Sequence, residues 1–209
     1  MPKLYHSPHS RSSRVISQLM LMGKLDAVEV IYVDIIKNDG SGRRDPMNAH
    51  PEGKVPFLVT DAGETIRESG AIMMYLDELF GQPLSPKPGA PGRGPYLSWM
   101  HYYGGVLEPA LIAAFAGIEH PALVGTFRTM AEVGTQLESC LKDGPFLLGD
   151  DLSVADLIMA SAFIWAPHLM PESPEIKAWV ARVAQAQDTG AMEVFEAQAQ
   201  ERLSLTEPA

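Results

Sequence analysis

The chain has 209 residues, of which 46% are hydrophobic and 20% charged, and its formal net charge is −10. This length suits one large or two small domains, each able to bury a hydrophobic core. The acidic balance, with no basic run to offset it, argues against a nucleic-acid partner. No apolar stretch approaches the length of a membrane span, and the first residues lack the hydrophobic run of a signal peptide.

The cysteine content bears on the compartment. The single cysteine, Cys140, cannot form a disulfide within the chain. Disulfides are rare in reducing compartments, so we expect a cytoplasmic protein. We also expect no metal cofactor.

The first part of the chain has the pattern of a mixed α/β domain. The spacing of apolar residues predicts, in order, a strand at 3–6, a helix at 11–22 ended by Gly23, a strand at 28–35, and an irregular segment at 38–52 with a short helix at 46–48. Strand, helix and strand make a βαβ unit, which we expect to be right-handed with parallel strands.

Residues 54–76 predict a strand, a turn, a second strand and a helix, with polar residues at the joints. Pro56 withdraws a backbone N–H near the start of the first strand, which suits an edge or a bend and admits a cis peptide bond. Ser69 lies at the start of the helix, where free N–H groups and the helix dipole favour a carboxylate. The neighbouring Glu68 suits an ammonium group.

The second half is helical in pattern. Residues 81–95 contain five prolines and four glycines and predict a linker. Helices are predicted over 96–116, 121–141, 157–165, 174–186 and 191–202, with Pro109 kinking or shifting the first of them. Ser153 and Asp156 match a capping box before the most apolar helix, a structural role.

Two of these motifs together resemble a known family. Val55-Pro56 near a strand start, with Glu68-Ser69 at a helix start about a dozen residues later, resembles the glutathione-binding half of cytosolic glutathione S-transferases. The turn GDDLSVAD at 149–156 resembles the start of the central helix in that family's second domain. The resemblance covers nearly the whole chain.

The resemblance implies a fold and a domain organisation. Residues 1–80 would form a thioredoxin-like glutathione-binding domain with the order βαβ-ββα. Residues 81–95 would be the linker, and 96–209 an all-α bundle. The family also implies a homodimer.

The resemblance also directs attention to the loop after the first strand. In serine-type members a hydroxyl lies four residues before an arginine on the first helix, and counting back from Arg14 gives Ser10. A hydroxyl at a helix N-terminus stabilises the thiolate of glutathione by a hydrogen bond and by the helix dipole. Ser12 and Ser7 are rivals, and Arg11 is a further candidate donor to the sulfur. The alternative is that this serine-rich loop only caps the helix.

Other groups in the chain fit the thiol chemistry less well. Tyr5 carries a hydroxyl, but it lies within the predicted strand. The loop contains no cysteine, and Cys140 lies on a helix of the other domain. Disulfide reduction through an enzyme cysteine is therefore disfavoured.

The resemblance implies further glutathione contacts, residue by residue. The backbone of Val55 would pair with the cysteinyl backbone of the tripeptide, and Pro56, if its peptide bond is cis, would hold that edge open. Glu68 would bind the γ-glutamyl ammonium and Ser69 its carboxylate. Lys54 would reach the glycyl carboxylate, or else be a solvated lysine.

The second substrate would lie against the first long helix of the bundle. Trp99, Tyr102 and Tyr103 form an aromatic group with polar edges that suits a flat or apolar electrophile. Trp99 is also compatible with the core. His101 is a candidate base, although a surface role is the more frequent one for such a histidine.

We therefore predict a glutathione transferase that binds glutathione, stabilises its thiolate and transfers it to a hydrophobic electrophile, with detoxification as the implied role. Peroxide reduction, dehalogenation and ether cleavage would use the same binding half. The alternative is a non-catalytic glutathione-binding or protein-interaction module with the same fold.

Overall fold

The computed structural model describes residues 1–205, which contain four β-strands, nine α-helices and shorter helical turns. The strands are β1 (Lys3–His6), β2 (Glu29–Tyr32), β3 (Phe57–Val59) and β4 (Thr65–Ile66). The helices are α1 (Ser13–Leu21), α2 (Ser69–Leu79), α3 (Arg93–Tyr102), α4 (Glu108–Phe115), α5 (Pro121–Phe127), α6 (Met130–Leu141), α7 (Val154–Trp165), α8 (Pro174–Ala186) and α9 (Thr189–Leu205). Within residues 1–205, no helix combines the length and the apolar character that a bilayer span requires.

The four strands form one mixed sheet in the order β2-β1-β3-β4. β1 pairs in parallel with β2, so the predicted βαβ unit is present, and β3 lies antiparallel to both β1 and β4. Leu4 and His6 point to the same side of β1 because side chains alternate along a strand, and both are fully buried. The central strand therefore places a histidine inside the core.

The end of α1 follows the sequence prediction. Gly23 has a φ of 63° and donates its amide to the carbonyl of Met20 at 2.9 Å. Lys24 donates to Leu19 at 2.8 Å, which completes a Schellman motif. Glycine adopts this left-handed conformation without a steric penalty. The turn brings the chain back toward β2.

Asp156 organises the start of α7, the most buried helix. Its Oδ2 accepts the backbone amide of Ser153 at 2.9 Å, as the capping-box prediction requires. Its Oδ1 accepts the amide of Leu147 at 2.8 Å and the indole N–H of Trp179 at 2.9 Å. Burial raises the pKa of Asp156, although these hydrogen bonds oppose the rise. One carboxylate thus joins the preceding loop, α7 and α8.

Two predictions for the first half of the chain are wrong. The strand predicted over 28–35 ends at Tyr32, because the side chain of Asp34 accepts the amides of Ile35 and Arg43 and turns the chain away from the sheet. The short helix predicted at 46–48 is a turn, in which the Asp45 carboxylate accepts the amide of Met47 at 2.8 Å.

The helix predicted over 96–116 is interrupted. α3 begins at Arg93, and a π-helical turn (Tyr103–Leu107) separates it from α4. The proline ring at Pro109 has no N–H and would clash with the carbonyl four residues earlier in a regular α-helix. The amide of Glu108 instead bonds the carbonyl of Tyr103, five residues back. Pro109 therefore shifts the hydrogen-bond pattern, which is one of the two effects predicted for it.

The helix predicted over 121–141 is two helices. Arg128 adopts a φ of 74° and ends α5. Thr129 then begins α6 with a capping box, in which its hydroxyl accepts the Glu132 amide at 3.2 Å and Glu132 accepts the Thr129 amide at 2.9 Å. The sequence T-x-x-E indicates this helix start, but the apolar spacing continues across it and predicted a single helix.

The chain divides into two compact units. The first contains Met1–Leu76 together with the chain from Gln187 onward, and the second contains Asp77–Ala186. α9 packs against α1 and β2, within the first unit. The second unit is helical, with α7 between α3 and α8. The predicted boundaries at 1–80, 81–95 and 96–209 stay a prediction, and they did not group α9 with the first unit.

We expect Asp156→Ala to lower the free energy of unfolding by about 3 kcal/mol or more, because buried donors lose their acceptor at about 1–3 kcal/mol each. Urea denaturation at neutral pH measures this change. Asp151→Ala is the control, since Asp151 is exposed in the same turn. Equal stability of the two variants would contradict the role assigned to Asp156.

Candidate functional site

The loop between β1 and α1 holds a cluster of serine hydroxyls. Ser10 Oγ donates to the carbonyl of Ser7 at 2.7 Å and accepts the amide of Ser12 at 3.2 Å. The hydroxyls of Ser10 and Ser12 lie 2.7 Å apart. Ser10 is partly exposed just before the N-terminus of α1. Its hydroxyl is therefore held by the backbone while remaining within reach of a ligand.

The other candidates of this loop are placed differently. Ser12 is fully buried, and its Oγ accepts the amide of Ser7 at 3.1 Å and lies 2.8 Å from His6 Nδ1. Ser7 is also buried, and its polar backbone atoms bond the hydroxyls of the loop. Arg11 is exposed. Ser12 thus lies behind Ser10 on the side of the core.

A second group of polar atoms surrounds the N-terminus of α2. Glu68 has a φ of 69°, and its carbonyl accepts the amide of Ile72 at 3.0 Å, so it caps the helix and Ser69 is its first residue. Within residues 1–205 the exposed carboxylate of Glu68 has no hydrogen-bond or ion-pair partner. Arg14 of α1 donates to Ser69 Oγ at 3.4 Å. This contact brings the first helix next to the Glu68-Ser69 corner, and the sequence did not predict it.

The segment before β3 presents an open backbone edge. The peptide bond between Val55 and Pro56 is cis, as the sequence admitted. Within residues 1–205, neither the amide nor the carbonyl of Val55 takes part in a backbone hydrogen bond. Lys54 is exposed, with its Nζ 3.5 Å from Glu52 Oε2. The edge at Val55 can therefore pair with an extended peptide.

His6 and Glu196 are two further residues of this region that sequence reasoning missed. His6 Nε2 lies 3.6 Å from Glu196 Oε2, an ion-pair distance, and both side chains are buried. The same carboxylate oxygen accepts the amide of His9 at 2.8 Å. The alternation of Leu4 and His6 in β1 marks His6 as buried, and this signal was available. Nothing local in the sequence indicates Glu196 as its partner.

The pKa of Glu196 reflects these contacts. Burial raises the pKa, but contacts with His6 and Ser13 and the amide of His9 outweigh this effect and hold it below the usual range. The carboxylate is therefore charged at neutral pH although it is buried. It lies directly behind the serine-rich loop.

The predicted aromatic residues lie in the second unit. The rings of Trp99 and Tyr102 meet edge to face, with centroids 5.4 Å apart. Tyr102 borders a cavity of about 330 Å³ that Arg128 and Glu132 also line, and burial raises the pKa of its hydroxyl. Tyr103 is buried, with 4% of its surface exposed. Of the predicted residues, Trp99 and Tyr102 are partly exposed, and Tyr102 borders the cavity.

Comparison with known proteins bears on what this arrangement is. The family model "Glutathione S-transferase, N-terminal domain" matches residues 4–84, and the model "Glutathione S-transferase, C-terminal domain" matches residues 125–182. Together they cover more than half of the chain. The chain belongs to the glutathione S-transferase family.

The similarity of this glutathione S-transferase to its relatives covers most of its length. It is 30% identical over 204 residues to "Dichloromethane dehalogenase" of Methylophilus leisingeri, covering 85% of this chain and 73% of that protein. A glutathione transferase structure from Methylococcus capsulatus matches with a TM-score of 0.70 and 26% identity, covering 95% and 100% of the two chains. A sphingomonad glutathione S-transferase complexed with glutathione matches with a TM-score of 0.70 and 26% identity, covering 93% and 98%.

The predicted fold class, a thioredoxin-like domain followed by a helical domain, is thereby confirmed. The predictions of a glutathione transferase and of an enzyme are confirmed as well, and a non-catalytic module is not favoured. Within residues 1–205 no three His, Cys, Asp or Glu side chains gather as metal ligands would. The expectation of no metal cofactor stays a prediction.

The charge on Glu196 predicts a pH dependence of stability. A carboxylate whose folded pKa is lowered stabilises the protein above its unfolded value, near 4.5, and loses this contribution as the pH falls through the folded pKa. We expect Glu196→Gln to lower the free energy of unfolding by about 1–3 kcal/mol at pH 7. The difference from wild type should shrink below pH 4.5.

Urea denaturation at a series of pH values measures this difference. Glu193→Gln is the matched control, because Glu193 is exposed on the same helix. A difference that stays constant with pH would mean that the charge of Glu196 does not stabilise the fold.

Proposed function

We propose that this glutathione transferase activates the glutathione thiol with the hydroxyl of Ser10 and transfers the sulfur to a hydrophobic electrophile. The observation that carries the proposal is the placement of Ser10 Oγ, partly exposed before α1 and held by the amide of Ser12 at 3.2 Å. A free thiol has a pKa of about 8.5, and the thiolate is the nucleophile. A preoriented hydroxyl and the N-terminal dipole of α1 both favour the anion.

The buried position of Ser12 favours Ser10 among the candidates. Ser12 Oγ already has the Ser7 amide and His6 Nδ1 as partners, and it has no exposed surface with which to meet a sulfur atom. Arg11 remains the alternative donor, because it is exposed beside the same helix terminus. The serine-type active-site loop is therefore part of this proposal.

We further propose that the first unit grips the tripeptide of glutathione through complementary charges and backbone pairing. The carboxylate of Glu68 would bind the γ-glutamyl ammonium, and Ser69 with the α2 N-terminus would bind the adjoining carboxylate. The open edge at Val55, after which Pro56 is cis, would pair with the cysteinyl backbone. Lys54 would reach the glycyl carboxylate.

The acceptor is proposed to contact the aromatic group of the second unit. Tyr102 borders the cavity there, and the ring of Trp99 packs against the ring of Tyr102. An apolar or flat electrophile suits these two aromatic side chains. Tyr103 is buried and would act from beneath the surface. Halide displacement is one reaction open to such a thiolate, and a relative bears the name dichloromethane dehalogenase.

Disulfide reduction is the less favoured chemistry for this enzyme. The single cysteine, Cys140, lies on α6, and burial raises the pKa of its thiol. A raised pKa lowers the thiolate fraction that disulfide exchange requires. We also propose a cytoplasmic location, since this cysteine has no intrachain partner, and a homodimer with a role in detoxification, as the family resemblance implies.

We expect Glu68→Ala to weaken glutathione binding by about 2–5 kcal/mol, because the ligand ammonium loses its charged partner. Isothermal titration calorimetry measures the affinity. The control is Glu64→Ala, which removes an exposed carboxylate from the neighbouring turn. Absence of binding by the wild type at millimolar glutathione would overturn the proposed function.

We expect Ser10→Ala to raise the pKa of bound glutathione while its dissociation constant stays near the wild-type value. Losing one hydrogen bond to the thiolate should lower turnover at neutral pH by about tenfold. Ultraviolet absorption of the thiolate reports the pKa, and Ser10→Thr should restore it in part. Wild-type turnover across the pH range would exclude Ser10 and direct attention to Arg11 and Ser12.

A further inference from the structure

Four side chains form a continuous polar chain that leads from the C-terminal helix to the loop hydroxyl. The steps are 3.6 Å from Glu196 Oε2 to His6 Nε2, 2.8 Å from His6 Nδ1 to Ser12 Oγ, and 2.7 Å from Ser12 Oγ to Ser10 Oγ. The first three residues are buried and the fourth is partly exposed. The chain therefore connects a buried charge to the surface at Ser10.

Each hydroxyl of these side chains has only one hydrogen to donate, and this limits which group donates and which accepts at each contact. Ser12 Oγ accepts the Ser7 amide at 3.1 Å and has one hydrogen to donate. His6 Nδ1 at 2.8 Å and Ser10 Oγ at 2.7 Å are nearer acceptors for it than the Ser7 carbonyl at 3.2 Å. The short distance between the two hydroxyls requires a hydrogen between them. If Ser12 donates to His6, then Ser10 must donate to Ser12 and has no hydrogen left for the carbonyl of Ser7 at 2.7 Å.

In the opposite direction Ser12 no longer needs the hydrogen of Ser10. When His6 carries a hydrogen on Nδ1, it donates to Ser12, and Ser12 then donates to Ser10. Ser10 Oγ receives this hydrogen and that of the Ser12 amide, and its own hydrogen lies toward the Ser7 carbonyl at 2.7 Å, from which a ligand can draw it. A sulfur anion at Ser10 would then compete for this hydrogen with the neutral Ser7 carbonyl alone, and an anion is the stronger acceptor.

The short contacts of the loop favour this second arrangement, because it supplies a hydrogen to each of the three contacts, of His6 with Ser12, Ser12 with Ser10 and Ser10 with Ser7. It places a hydrogen on His6 Nδ1, and Glu196 Oε2 lies 3.6 Å from the other ring nitrogen, an ion-pair distance. Glu196 Oε1 and His6 Nε2 are buried without a hydrogen-bond partner among residues 1–205. A buried polar atom without a hydrogen-bond partner costs free energy, and a nearby group of opposite charge offsets part of that cost.

The remaining surroundings of His6 are mainly aromatic. The ring of Tyr32 lies 6.0 Å away on β2, and that of Phe195 lies 5.5 Å away on α9. The guanidinium group of Arg202, on α9, lies over the ring of Tyr32, 5.1 Å from its centroid. Glu196 also accepts the His9 amide. Among the described residues, Tyr32 and Arg202 thus lie on this side of the sheet near Glu196 and His6, and neither supplies a negative charge at neutral pH.

We propose that Glu196 and His6 are positioning residues of the thiol site, which act through Ser12 so that Ser10 can turn its hydrogen from the Ser7 carbonyl to the glutathione sulfur. The inference rests on the proposed function of Ser10. These four side chains transfer no proton, since the thiol proton leaves to solvent. They fix the direction in which the hydroxyl hydrogens point.

The test measures the pKa of glutathione bound to the enzyme, by ultraviolet absorption of the thiolate. Glu196→Gln keeps the shape of the side chain and an acceptor for the His9 amide, but removes the charge. We expect the pKa of the bound thiol to rise by about one pH unit, which is about a tenfold smaller thiolate fraction. The dissociation constant of glutathione, measured by calorimetry, should stay within about twofold of wild type.

Matched variants separate this role from a structural one. Glu193→Gln, on the exposed side of the same helix, should leave the pKa of the bound thiol unchanged. His6→Leu can neither charge nor donate, and should raise the pKa as Glu196→Gln does. If His6→Leu fails to fold, Glu196→Gln still decides the question. In a Ser10→Ala background, Glu196→Gln should add no further change.

The outcomes are distinguishable. A wild type that does not bind glutathione, or binds it with an unlowered thiol pKa, overturns the proposed function itself. A lowered pKa that Ser10→Ala raises and Glu196→Gln leaves unchanged overturns only the inference about the chain. An equal effect of Glu196→Gln in the presence and absence of the Ser10 hydroxyl also overturns it, because the effect would not pass through Ser10.

Discussion

The buried carboxylate of Glu196 has to find donors, and the arrangement of the first unit follows from where it finds them. It accepts the amide of His9 at 2.8 Å and lies 3.6 Å from the imidazole of His6. These contacts tie α9 to β1 and to the loop that carries Ser10. An unpartnered charge in this position would cost far more than the contacts gain. Glu196 therefore constrains the loop that we regard as the centre of the chemistry.

The second unit depends on a comparable group. Asp156 accepts donors from Leu147, Ser153 and Trp179, which belong to a loop, a helix start and a different helix. Water cannot reach these donors, so one carboxylate satisfies several groups at once. In both units a buried acid holds separate elements together. The difference is that Glu196 lies beside a proposed reactive group, whereas Asp156 lies in the scaffold.

The sequence reveals features that short-range chemistry controls. Glu68 and Ser69 were identified at a helix start because the apolar pattern begins directly after them, and Pro56 because proline removes a donor. The contact between Glu196 and the loop was not predictable, since His9 and Glu196 are 187 positions apart and no local pattern links them. The shift of hydrogen bonds at Pro109 was foreseen only in outline, because proline excludes the regular pattern without specifying its replacement.

The division of the chain has a consequence for the order in which this protein is made. The first unit is assembled from two separate stretches, Met1–Leu76 and the part that follows Gln187. A ribosome completes the whole second unit before the residues of α9 emerge, and domains begin to fold as they are synthesised. During that interval β1 and the serine loop exist without Glu196. The thiol site that we propose is therefore complete only once α9 has left the ribosome.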